Sequence, residues 1–148
     1  VSGSFFLTTQ TAFNDAGTQI NNYDDLTEMG FYLTTAIKCP KKEYLVSVNT
    51  IKECSKRFLE NGVFRFPHLK VIMCMGDFAI KAVNFIFNEK FSVKPIKSGS
   101  TYKIRKESHV FNNITFFPSY TQTGDSFNLE KSKRRMIAED IARAINIL

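Results

Sequence analysis

The stretch Phe116-Phe117-Pro118-Ser119-Tyr120-Thr121-Gln122-Thr123-Gly124 holds the residue types in this chain best suited to chemistry. A strand-like run, Asn113-Ile114-Thr115-Phe116, leads into Pro-Ser, then into small polar residues, and a basic helix follows. Small hydroxyls and free backbone N–H groups can approach phosphate oxygens without clashing. Ser119–Thr123 is therefore read as a loop that contacts a nucleic-acid strand. Lys131, Lys133, Arg134 and Arg135 lie just beyond it, and Lys38, Lys41 and Lys42 are expected on the same rim. Neutralising about six phosphates would give a salt slope of about −5. The plainer alternatives are a polar turn and a solvated helix face.

The other reactive side chains lack partners in the sequence. His68 follows Pro67 in a connecting loop and His109 precedes a strand; neither has a neighbouring Ser, Cys or carboxylate that makes a triad or metal site, so both read as structural. Cys39, Cys54 and Cys74 form no CxxC pair. An odd number of cysteines without a secretory signal points to a reducing, cytoplasmic compartment. Cys74 lies in an apolar run and reads as a small core residue. No GxGxxG or GxxxxGK[ST] occurs, which argues against a small-molecule enzyme built on dinucleotide or P-loop binding.

Positioning these residues requires a packed scaffold. At 148 residues, with 43% hydrophobic and 14% aromatic content, the chain is long and apolar enough for one domain over residues 1–148 with its own core. Net charge is +6 and the isoelectric point about 9.3, which favours a polyanionic partner. No apolar run approaches the roughly 18–20 residues that cross a bilayer, so no membrane role is expected, and a monomer is. The opening Val1-Ser2-Gly3-Ser4 is either a tag scar or the start of a segment whose upstream part is missing; the lack of the alternation of a first core strand favours the second.

Helical and strand signals alternate along the chain. Tyr23–Met29 reads as a short helix ending at Gly30, and Phe31–Ile37 as a buried parallel strand ended by Pro40. Thr50-Ile51-Lys52-Glu53 reads as a capping box opening a helix that runs to about Glu60 and stops at Asn61-Gly62. Leu69–Met75 is expected as a second central strand, turned at Gly76 into a helix through Val83. Pro95–Ile104 reads as a loop and edge hairpin around Lys97-Ser98-Gly99-Ser100, and Asn113–Phe117 as a third strand. Leu129–Leu148 is the last helix, with Met136, Ile137, Ile141, Ala144, Ile145 and Leu148 on one face. This alternation predicts an α/β fold, a three-layer α/β/α sandwich around a mainly parallel sheet. Ligand sites in such sheets lie beyond the carboxyl ends of the strands, which gathers Thr35–Lys42, Met75–Asp77 and Phe117–Gly124 onto one rim.

In this order the segments resemble the uracil-DNA glycosylase superfamily, especially its iron–sulfur-type branch. Phe31–Cys39 is similar to the branch's strand ending in Lys-Cys, Glu53-Cys54 to the element opening the next helix, and Val71–Ala79 to its strand-Gly-helix junction. Phe117-Pro118-Ser119 stands where the family carries His-Pro-Ser, and Phe13-Asn14-Asp15-Ala16-Gly17 is a weaker match to the element after its water-binding motif. The resemblance implies DNA binding and hydrolysis of an N-glycosidic bond to a damaged or deaminated base. Phe13 would stack on an extruded base, with Asn14, Thr35 and Phe117 completing the pocket; the ordinary use of Phe13 is core packing, and of Asn14 and Asp15, capping the next helix. Asp15 is the candidate for positioning water.

The departures are as specific as the matches. The base-reading Asn of the family is Thr35 here, too short for a bidentate contact, and the His that stabilises the departing base is Phe117. A phenyl ring donates no hydrogen bond to an anionic leaving group, and losing one such donor costs about 10²–10³ in rate. Cys39 and Cys54 match two of the four thiolates that hold a [4Fe–4S] cluster, which needs four. The expectation is no cofactor in this chain, a cluster being possible only with a further CxxC. Two functions follow as expectations: a base-excision N-glycosylase acting on DNA, or a catalytically inactive nucleic-acid-binding module of the same fold.

Overall fold

The computed structural model describes residues 3–38 and 46–148, and the fold is mixed α/β. A helix the sequence reading did not anticipate opens it, α1 (Gly3–Asp15). Its polar face is masked locally, because the Thr8, Thr9 and Thr11 hydroxyls donate back to carbonyls one turn earlier. Helix α2 (Tyr23–Glu28) starts where Asn22 Oδ1 accepts the Asp25 amide at 3.0 Å.

Phe31–Ile37, expected as a central strand, is not assigned to any strand. Its alternation still sorts the side chains: Phe31 and Leu33 join one hydrophobic cluster, Ala36 and Ile37 the other. The β-branched composition therefore marked a core-lining segment, but no ladder of hydrogen bonds forms along it among the described residues.

Helix α3 (Val48–Cys54) begins two residues before the expected capping box. Ser47 is its cap, with Oγ accepting the Thr50 amide at 3.1 Å, and Glu53 is exposed. The helix does not stop at Asn61-Gly62 either. It widens into a π-helical turn at Ser55–Leu59, where the buried Ser55 hydroxyl donates to the Ile51 carbonyl at 2.5 Å, and continues as α4 (Glu60–Val63). Burial of Ile51, Cys54, Ser55 and Leu59 outweighs the roughly 1 kcal/mol that a mid-helix glycine costs.

Strand β1 (Val71–Met75) leads into α5 (Asp77–Phe91), eight residues longer than the expected helix through Val83. Asn84 on α5 pins the following loop, its amide bonding both the N–H and the C=O of Ile96 at 2.9 and 2.8 Å. The region read as an edge hairpin is instead this loop and a helical turn, α6 (Thr101–Ile104). The hairpin lies further on, between β2 (Val110–Phe111) and β3 (Ile114–Ser119). Asn112 and Asn113 form its two-residue turn with φ of 50° and 61°, values that asparagine tolerates better than most residues. Helices α7 (Gly124–Leu129) and α8 (Lys131–Ile145) complete the chain, so the expected last helix is broken at Glu130.

The sheet is small and mixed, in the order β1-β3-β2. β1 and β3 are parallel, in register from Val71 opposite Thr115 to Met75 opposite Ser119, and β2 is antiparallel to β3. β2 ends opposite Thr115, so Pro118 falls where β3 has become an edge and its missing N–H costs no ladder bond. Alternate strand residues feed separate clusters. Ile72, Cys74 and Phe116 join Ile51, Val83, Ile86 and Phe87, with α3 and α5 packed together. Met73 and Met75 join Ala12, Phe13, Phe127, Ile137 and Ile141, with α1 against α8.

Candidate functional site

The carboxyl ends of β1 and β3 are tied together at Gly76, whose amide donates to the Ser119 carbonyl at 2.9 Å. Gly76 sits at φ 99° and ψ 164°, a conformation essentially reserved for glycine, and a Cβ there would lie 3.3 Å from Thr121 Cβ. The close approach of the loop after β3 to the start of α5 is thus eased by the missing side chain at residue 76, where any other residue would be strained. Ser119 and Gln122, expected to reach outward, point inward instead: they are 0% and 5% exposed. Ser119 Oγ donates to Asp140 Oδ2 at 2.6 Å, and Gln122 Nε2 to Thr9 Oγ1 at 3.4 Å. Tyr120, Thr121 and Thr123 retain solvent contact.

Charge gathers beside these three residues. Lys133 Nζ lies 5.3 Å from the Tyr120 ring centroid, within cation–π range, and also bonds Ser126 and Glu130. Lys131 and Arg135 are exposed on α8. Arg134 is occupied: its Nε and Nη2 donate to the two carboxylate oxygens of Asp15 at 2.8 and 3.0 Å, joining α8 to the end of α1. The pair is partly exposed, so it contributes little to stability, but it holds Asp15 in a fixed orientation. Lys38 Nζ donates to Thr34 Oγ1 at 2.8 Å and remains exposed.

The pocket residues expected from the sequence are divided. Phe13 is buried edge-on against Phe31, centroids 5.3 Å apart, in the cluster that also packs Leu33, Met75 and Tyr120. Thr35 is exposed on the segment that carries Phe31 and Leu33. Asn14 Oδ1 accepts the Ile20 amide at 3.2 Å and so closes the turn after α1, while Asn22 caps α2. Phe117 lies outside this cluster. It is buried under the Arg143 guanidinium, 5.2 Å from its ring centroid, and lines a dent with Lys106, Asn146 and Ile147 toward the far end of α8.

Cys39, Lys41 and Lys42 lie outside the described residues. Cys54 is buried, and its Sγ accepts the Lys38 amide at 3.1 Å, linking the Phe31–Lys38 segment to α3. Burial pushes the Cys74 thiol up to about 12, far from a metal-binding thiolate. Among the described residues no group of three or more His, Cys, Asp or Glu is placed to hold a metal.

The chain is 27% identical over 101 residues to a type-5 uracil-DNA glycosylase of Thermus thermophilus, a match covering 68% of this chain and 46% of that protein. The similarity is to a DNA glycosylase. No family model matches the chain, and no solved structure does.

Beneath the rim lies a charged network that the sequence reading missed. Arg105, 1% exposed, donates Nε and Nη2 to the two oxygens of fully buried Asp140 at 3.0 and 2.8 Å. Its Nη2 also reaches the Met136 carbonyl and Glu139, and Arg143 Nη1 adds bonds to Asp140 and the Arg105 carbonyl. Burial pushes the Asp140 carboxyl above its ordinary range, against the pull of the Arg105 and Ser119 hydrogen bonds. The signal available beforehand was Asp140 itself, an acid set between Ile137, Ile141 and Ala144 on the apolar face of α8.

Proposed function

We propose that this chain is a DNA-binding domain of the uracil-DNA glycosylase superfamily that removes a damaged or deaminated base by hydrolysing its N-glycosidic bond. The observation that carries the reading is the similarity to a uracil-DNA glycosylase over 101 residues, because it covers 68% of the chain rather than a single motif. That relative is more than twice as long as the matched stretch, so activity, substrate and partner are carried over as parts of the proposal. Tyr120, Thr121 and Thr123 with Lys131, Lys133, Arg135 and Lys38 form the proposed backbone-binding surface, and an extruded nucleotide would enter toward Thr35 and Phe13. Phe13 reaches a base only if the Phe31 contact opens. Asp15 remains the proposed water-positioning carboxylate, oriented by Arg134.

Phe117 favours a second reading, a nucleic-acid-binding module without catalysis. Its ring is buried under Arg143 and offers no donor to a departing base. One pair of measurements separates them: base release from duplex and single-stranded oligonucleotides carrying uracil or a deaminated purine, and binding to the same oligonucleotides. Release supports the enzyme; salt-sensitive binding without release supports the module. Absence of both removes the two readings together.

A further inference from the structure

We propose that Asp140 is a positioning residue, which through Ser119 holds the Tyr120–Thr123 segment at a set distance from the cations of its own helix. The proposal rests on the DNA-binding reading above for its purpose, though not for its geometry. Ser119 is the last residue of β3 and is held from two sides. Its carbonyl accepts the Gly76 amide from the end of β1, and its hydroxyl donates to Asp140 on α8. The next residues leave the sheet, where Tyr120 meets Lys133 and Thr121 meets Gly76. Lys133 stands about two turns before Asp140 on the same helix. The anchor and the cation are therefore parts of one rigid element, and a shift of Ser119 relative to Asp140 moves the loop relative to Lys133.

The groups around Asp140 explain why it stays put. Arg105 grips both carboxylate oxygens, and its remaining Nη2 contacts, the Met136 carbonyl and Glu139, all lie on α8. Arg143 closes the same oxygen from one turn later. Every buried side-chain polar atom among the described residues has a partner. A buried ion pair of this kind is weak as a source of stability, since well-packed apolar residues replace such pairs with little loss. Its better use is to select one arrangement, here one register of α8 against β3. Loops that bind a ligand lose affinity when they must be ordered on binding.

Two variants test this. Ser119→Ala cuts the tie and leaves Arg105–Asp140 in place. The triple variant Arg105→Met, Asp140→Met, Ser119→Ala removes the buried charges and their buried hydroxyl partner together, and the Glu139 and Arg143 side chains that lose a contact both reach solvent. Each is compared with the wild type for thermal midpoint, for amide exchange at Tyr120–Thr123, and for affinity to a uracil-containing duplex. The expected result is a cooperative transition in both, loop amides exchanging about tenfold faster, and affinity lower by about tenfold, because the cost of ordering moves to the binding step. Loop exchange unchanged in a folded triple variant overturns the proposal, as does unchanged affinity in a wild type that binds. If the wild type binds no DNA, the functional reading fails by itself, and the exchange rates alone decide the role of Asp140.

Discussion

Single side chains in this protein are set by where the low-dielectric interior lies. Cys74 is wholly enclosed in the cluster that also holds Ile72, Val83 and Phe116, and its thiol is pushed up to about 12 by burial. In the folded protein at pH 8, iodoacetamide should therefore leave Cys74 unmodified, while denatured chain is alkylated there, as peptide mass mapping would read. Glu139 lies at the other extreme: half-exposed, its carboxyl is held below the ordinary carboxylate value first by the Arg105 hydrogen bond. A depressed folded pKa stabilises the fold at pH values above the unfolded value, and that contribution is lost as pH falls through the folded one. Glu139→Gln should thus be less stable than wild type at pH 7, with the gap closing as pH falls below the ordinary carboxylate range. Urea midpoints across that range check it, and an undiminished gap at low pH would rule the linkage out.

Among elements, the β1–α5 and β3–α7 junctions decide where the rim closes. Gly76 is the residue on which both depend, since its φ of 99° strains any side chain and Thr121 would have to give by a few tenths of an ångström to admit one. Gly76→Ala should destabilise by about 1–3 kcal/mol from backbone strain, read from thermal or urea unfolding. A neutral result would mean that the loop yields more easily than its contacts imply. The elements also explain which sequence expectations survived. The strands expected at Leu69–Met75 and Asn113–Phe117 form as Val71–Met75 and Ile114–Ser119, legible because short apolar runs there lead into Gly76 and into Pro-Ser. Phe31–Ile37 has the same composition but forms no ladder among the described residues, because composition reports burial and not pairing. The hairpin was placed too early, since Lys97-Ser98-Gly99-Ser100 looks like a turn while Asn112-Asn113, with no glycine, makes one.

For the whole molecule, the relevant quantity is how much of the +6 charge faces one way. Arg134, Arg105 and Arg143 are engaged with carboxylates, so the proposed surface relies on Lys38, Lys131 and Arg135, together with Lys133, which also pairs with Glu130. Four phosphate contacts predict a slope of log K against log salt of about −4 on duplex DNA. Removing Lys131 and Arg135 together should lower its magnitude by about two without changing the melting temperature. A slope near zero would detach the basic surface from binding.

Periodicity and residue type by themselves determined the α/β character, the two principal strands, the apolar face of the last helix and the order of segments that resembles a DNA glycosylase. Those features are local, written in residues a few positions apart. Tertiary structure alone decided that Ser119 and Gln122 turn inward, that Arg134 is spent on Asp15, and that Arg105 and Asp140 meet in the core. Each depends on groups brought together from distant parts of the chain, where the cost of enclosing a polar atom is met only by a partner that no spacing rule announces.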